Sequence, residues 1–155
     1  MIIKKLKIYL FNIFETNINY NMRAGILPVC FNGVSLLFLL GKEQNNEWSD
    51  LGGSSNSRYE STFHTAIREG YEETNGFFGS KYNLQKNIEK FLLLEVKSRT
   101  YSCFVYKIKY DTNLIKYYNR NYKFIQKHND KFVKDHNGYY EKSSIKWFTI
   151  EDICE

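Results

Sequence analysis

The chain predicts an α+β fold, and three observations carry that expectation. An Asn32-Gly33 turn joins two apolar runs rich in β-branched and aliphatic residues. A segment over residues 59 to 74 places Phe63, Ala66, Ile67 and Tyr71 at helical spacing. Further strand-like runs then alternate with a second helical stretch near the C-terminus. A length of 155 residues, with no repeat and no linker-like composition, favours a single domain over residues 1–155.

The elements follow in order. Residues 2 to 14 alternate imperfectly between Lys and apolar side chains and predict a strand, with a turn over Asn17 to Asn21. Residues 24 to 31 and 34 to 40 predict a hairpin, because Asn and Gly both tolerate positive φ. Residues 44 to 50 read as a polar loop ending near Trp48, and Gly52-Gly53-Ser54-Ser55-Asn56-Ser57 as a flexible one. Ser55 or Ser57 would cap the helix over 59 to 74, which stops at Asn75-Gly76. Strands are expected at 88 to 96 and 101 to 109, joined around Ser98-Arg99-Thr100. Residues 113 to 136 predict helix with a break near Asn119 to Asn121, then a turn at His136-Asn137-Gly138. A strand over 144 to 149 and a short helix over 150 to 154 close the chain.

Function is signalled by Arg68-Glu69-Gly70-Tyr71-Glu72-Glu73. The spacing puts Glu69, Glu72 and Glu73 on one side of a helix. Gathering like charges costs stability, and a cation is the simplest reason to do it. Three hard oxygen ligands suit Mg²⁺ or Mn²⁺, and such an ion suits phosphate chemistry. The plain alternative is a solvated acidic helix face, since glutamate is a good helix former.

Composition narrows the classes. A formal charge of +5 and a pI near 9.0 favour phosphate-bearing ligands without separating nucleotide, RNA and inositol polyphosphate. Cys30, Cys103 and Cys154 make no CxxC pair, which argues against structural zinc and suits free thiols in a reducing, cytoplasmic compartment. His64, His128 and His136 are scattered. The apolar run from Ile8 is too short and interrupted for a membrane span.

Over Gly53 to Gly76 the chain resembles the Nudix hydrolases. Their box opens on Gly, carries Glu six residues later and Arg-Glu eight residues beyond that. An aliphatic residue, any residue, Glu-Glu, any residue and Gly then follow. Glu60, Arg68-Glu69 and Glu72-Glu73 match it. Arg23-Ala24-Gly25, Trp48 ahead of Gly52-Gly53, and Ile145 to Ile153 resemble the family's entry strand, its lead-in and its terminal strand and helix. Three positions depart. Counting back from Glu60 reaches Ser54, so the loop carries one extra residue after Gly53 or Ser54 replaces the glycine. Gly70 stands where an aliphatic residue is usual, and Asn75 replaces the closing Gly.

The resemblance implies an α/β/α sandwich on a central mixed β-sheet. It also implies hydrolysis of a diphosphate linkage in a nucleoside diphosphate joined to another moiety. Glu69, Glu72 and Glu73 would be metal ligands, Glu60 would join the shell or hold its waters, and Glu141 is the positional candidate for a further ligand. Glu95 is a weaker one. Arg68 would orient the carboxylates by ion pairing, Gly53 would allow close approach, and Arg23 would meet a phosphate. The base varies in location in the family, so none is assigned. Candidate substrates are nucleotides, dinucleoside polyphosphates, sugar nucleotides, an mRNA cap or a diphosphoinositol polyphosphate. Homodimers are frequent in the family. A catalytically weak or inactive nucleotide- or RNA-binding protein on the same fold is the alternative class. Lys116, Arg120, Lys123, Lys127, Lys131 and Lys134 would offer RNA a basic surface, or else form the wet side of an amphipathic helix.

Overall fold

The structure, a computed structural model, describes residues 22–135 and 138–154. The strand expected at 2 to 14, the turn at 17 to 21, and His136 and Asn137 lie outside the described residues.

Strands β1 (Arg23–Phe31) and β2 (Leu36–Lys42) form the expected hairpin, but a four-residue loop over residues 32 to 35 replaces the two-residue Asn32-Gly33 turn. Asn32 shapes that loop, since its side-chain oxygen accepts from the backbone N–H groups of Val34 and Ser35. The stretch read as loop contains two short strands, β3 (Trp48–Ser49) and β4 (Leu51–Ser54). The glycine pair is therefore extended backbone paired with β1, Gly53 opposite Ala24 and Gly52 opposite Gly25.

Helix α1 (Thr62–Glu73) is capped by Ser61, whose hydroxyl accepts from the His64 N–H, rather than by Ser55 or Ser57. Residues 88 to 91, expected in a strand, finish a second helix, α2 (Lys81–Phe91), ahead of β5 (Leu92–Lys97). Its Ser80 cap and its buried pair Leu84 and Ile88, four apart, supply the helical signal. Strand β6 (Tyr101–Lys107) follows. Helix α3 (Thr112–His128) runs straight through the expected break. Asn119 bonds both ways to the Ile145 backbone, so its side chain does not compete for helical hydrogen bonds. The interruption comes at Asn129, before α4 (Asp130–Lys134). Strand β7 (Ser144–Phe148) and helix α5 (Ile150–Cys154) complete the order.

The sheet runs β3-β2-β1-β6-β5, with β4 also on β1 and β7 also on β2. Only β1 and β6 pair in parallel among the described strands, so the sheet is mixed. One edge of β1 forks: Arg23 to Ile26 face β4, while Val29 to Phe31 face β2. Val29 turns its carbonyl the other way, accepting from Ile108 beyond β6. Pro28, pointing oppositely, therefore sits at the fork, where its missing N–H leaves no ladder bond unmade.

Both faces of the sheet are covered. Ala24, Ile26 and Phe104 pack with Ala66, Ile67, Leu84, Ile88 and Tyr118 from α1, α2 and α3. Leu27, Val29 and Val105 form the other layer, with Ile150 and Ile153 of α5 against it. This is an α/β/α sandwich. Gly70 is explained here, because Ile26 of β1 fills the space that a side chain at 70 would take. No described helix is long and apolar enough to cross a membrane. Cys30 and Cys103 are buried, Cys154 is exposed, and none is in a disulfide.

Candidate functional site

Helix α1 is fixed by its apolar side. Ala66 and Ile67 are buried, and Phe63 sets its ring edge-on to Phe104 at 5.2 Å. That leaves Arg68, Glu69 and Glu72 towards the β4 side and turns Glu73 inward.

Arg68 is the hub of the outer group. Its Nε and Nη2 donate to the two Glu60 oxygens at 3.0 and 3.2 Å. Its Nη1 donates to Glu69 Oε1 at 2.8 Å and Glu72 Oε2 at 3.2 Å, and Nη2 also reaches the Ser54 carbonyl at 2.7 Å. A planar guanidinium can hold this many acceptors at once, which an ammonium cannot. Glu60 also accepts from the Asn56 N–H at 2.7 Å. Its hydrogen bonds with Arg68 hold its carboxyl far below the usual range, at about 2. Glu72 takes a second cation, Lys81, at 3.1 Å.

Glu69 leans over Gly53. A Cβ at 53 would lie 2.6 Å from Glu69 Oε1, so only glycine admits the carboxylate there. Ser54 contributes its carbonyl to Arg68, and the glycine the glutamate needs is Gly53. Burial raises the Glu69 carboxyl, Arg68 pulls it down, and the charges of Glu72 and Glu141 add to the rise.

Glu73 is turned further inward than Glu69 and Glu72. It is 3% exposed and pairs with Lys142, which is wholly buried, at 3.3 Å. Lys142 also pairs with Glu43 and donates to Ser49 Oγ at 2.7 Å. Tyr118 ties the same segments together, its one hydroxyl proton shared between the Glu73 and Lys142 carbonyls at 2.7 and 3.0 Å. Burial pushes the Glu73 carboxyl well up; Lys142 opposes this while Glu43, Asp50 and Glu69 reinforce it. Glu73 Oε2 is buried with no hydrogen-bond partner among the described residues. Among the described residues no three His, Cys, Asp or Glu side chains stand together as a set that could hold a metal ion.

Beside this cluster lies a cavity of about 820 Å³ whose walls include Arg23, Trp48, Asp50, Tyr101, Tyr122 and Glu141. Arg23 and Glu141 are thus both brought to one opening. Asp50 is buried in its wall and accepts from the Tyr101 hydroxyl through both oxygens, at 2.9 and 2.8 Å. Glu95 lies on β5 and pairs with Lys97 at 3.0 Å, outside this arrangement. His64 is exposed on α1, and His128 stacks near Phe124. Lys142, Glu43 and Asp50 escaped sequence reasoning. Each is one charge among 22 basic and 17 acidic residues, and no local pattern marks it as buried.

No protein-family model and no curated protein matches the chain. Solved structures do. A C. elegans Ap4A hydrolase, as a binary complex, aligns over 85% of this chain and 82% of its own, with 17% identity and a TM-score of 0.50. A bifunctional NMN adenylyltransferase/ADP ribose pyrophosphatase from Francisella tularensis, complexed with AMP and a Mn ion, aligns over 97% of this chain and 42% of its own. Its identity is 14% and its TM-score 0.53. At these identities the likeness is one of fold, and the fold is the Nudix-type sandwich.

Proposed function

We propose that the chain is a single-domain Nudix-type hydrolase that cleaves a diphosphate linkage in a nucleoside diphosphate joined to another moiety. One observation carries the reading: Arg68 gathers Glu60, Glu69 and Glu72 against Gly53, beside a cavity walled by Arg23 and Glu141.

The carboxylates do not converge on one point as they stand, but as donors they suit a divalent cation in chemistry and charge. All the donors are hard carboxylate oxygens. Two of the carboxyls, Glu69 and Glu73, are pushed up by burial and by negative neighbours, a rise that added positive charge would offset. Glu73 Oε2 is a buried oxygen lacking a hydrogen-bond partner among the described residues. Glu69, Glu72 and Glu73 would hold Mg²⁺ or Mn²⁺, with Glu141 as a further donor. Once bound, the ion would supply charge neutralisation and a more acidic water. The chain's own residues do the remaining work. Arg68, held by Glu60, keeps Glu69 and Glu72 at fixed spacing. Arg23 offers a cation to a phosphate entering the cavity. Trp48 and Tyr101 give that cavity apolar surface for a base.

A second reading has its own support. Arg68, Lys81 and Lys142 already neutralise Glu69, Glu72 and Glu73, as a binding protein without turnover would allow. One experiment separates the two. The purified chain is offered nucleoside triphosphates, Ap4A, ADP-ribose, sugar nucleotides, capped RNA and a diphosphoinositol polyphosphate, each with Mg²⁺ or Mn²⁺, and products are identified. Metal-dependent cleavage of a diphosphate bond, lost in Glu72→Gln, is expected. Binding without turnover across the panel would establish the second reading instead.

A further inference from the structure

Helix α3 carries Lys116, Arg120, Lys123 and Lys127, and no carboxylate anywhere between Thr112 and His128. All four cations are exposed, and none pairs with an acid among the described residues. At 3.6 residues per turn they fall within an arc of about 60° and span about 16 Å of helix. Like charges three and four apart repel, so this arrangement weakens the helix it sits on. A helix that needed only solubility would intersperse acids. The helix dipole favours only the last of these cations, Lys127, together with His128.

The neighbouring arc holds Tyr117 and Phe124, 55% and 60% exposed, with His128 stacked 4.5 Å from Phe124. On the other side of the stripe, Tyr122 and Gln126 line the cavity beside the glutamate cluster. Lys134 of α4 lines it too. The order around the helix is therefore cavity wall, cations, open rings.

We infer that this face of α3 binds single-stranded nucleic acid, with phosphates along the four cations and unpaired bases on Phe124 and Tyr117. Charge and stacking rings side by side are what a single strand uses, because every base has a face to stack. A duplex would leave the rings idle. A membrane needs a broad apolar face, and α3 spends its own on the core through Leu114, Ile115 and Tyr118. The inference does not depend on turnover, and its test excludes turnover.

The test is fluorescence anisotropy of the full chain with a labelled, unstructured 12-mer of RNA, in EDTA, across salt concentrations. A DNA 12-mer forms the parallel arm. Saturable binding is expected, with log K falling against log salt at a slope of about −3, as four neutralised phosphates require. Lys116→Glu/Lys127→Glu should weaken binding at least about tenfold and roughly halve the slope. Lys86→Glu/Lys90→Glu on α2 makes the same change in net charge and should move affinity by less than about threefold. Phe124→Ala should lose about tenfold with the slope unchanged. Lys116→Gln/Lys127→Gln replaces the charge-reversed variant if that one does not fold. No saturable binding, equal losses in the two charge-reversed variants, or tighter association with phosphatidylserine vesicles than with either oligonucleotide would each overturn the inference.

Discussion

Glu72 and Glu73 are adjacent in sequence and live in opposite surroundings. Glu72 shares the largely buried Arg68 with Glu60 and Glu69 and takes Lys81 from α2. Glu73 meets the wholly buried Lys142, which also holds Glu43. One residue on a helix is a turn of 100°, and here it carries a carboxylate from the site's rim to the protein interior. The outer group is held by a many-toothed guanidinium that solvent can reach. The inner group rests on one ammonium that solvent cannot. The outer cluster is therefore the more accessible of the two, and the inner cluster links α1 to β3 and the end of β2 through Lys142.

The largest expected effect breaks the inner cluster. Lys142→Met leaves buried carboxylates without their cation and should cost about 3–5 kcal/mol in urea unfolding. Adding Glu73→Leu should return part of that loss, which would locate the cost in the unpaired charge. In the outer cluster, Arg68→Ala should cost about 1–3 kcal/mol, since its acceptors gain access to water. Arg68→Lys should restore little of it, because an ammonium cannot fork between Glu60 and Glu69.

Close packing around α1 gives a smaller, separable effect. Gly70→Ala forces a methyl into Ile26, an overpacking cost of about 1–3 kcal/mol that the better helix propensity of alanine offsets by about 1 kcal/mol. Ile26→Val in the same chain should relieve it, as thermal unfolding would report.

The smallest effect is in pH, where Glu60 and Glu73 oppose each other. Glu60 is held down to about 2 from an ordinary 4.5, so its contribution is present above pH 4.5 and fades as pH falls towards 2. Glu73 is raised, so the folded protein keeps a proton that the unfolded chain releases near 4.5. Stability therefore declines as pH climbs from 4.5 through the folded-state value. With metal removed by EDTA, Glu60→Gln should flatten the acid limb of a stability–pH curve. Glu73→Gln should flatten the decline above it.

The same contrast marks what the sequence could reveal. The hairpin, α1 and the closing strand and helix were legible because turn chemistry and helical spacing are local signals. Arg68 with Glu60, Glu69 and Glu72 was legible because one helix and its lead-in contain them all. The ion pair that Glu73 makes was not, since its partner Lys142 lies far along the chain. The Gly52-Gly53 pair read as a loop because glycine usually disfavours strands; here the pair ladders onto β1, and Gly53 leaves room for Glu69. Helix α2 was hidden by an Ile-Leu-rich stretch whose first part is helix and whose remainder is β5. The Asn119 to Asn121 break failed because Asn119 is engaged by β7.

The most direct test of the central claim is the melting temperature of the chain in EDTA and in 1 mM Mn²⁺, beside Glu69→Gln/Glu72→Gln. If the outer carboxylates hold the ion with a Kd near 10 μM, mass action supplies about 2.7 kcal/mol and the melting temperature of the unaltered chain rises by about 5–10 °C. The double variant should show no rise. An unaltered chain indifferent to Mn²⁺, or a variant that gains as much from it, would contradict the account.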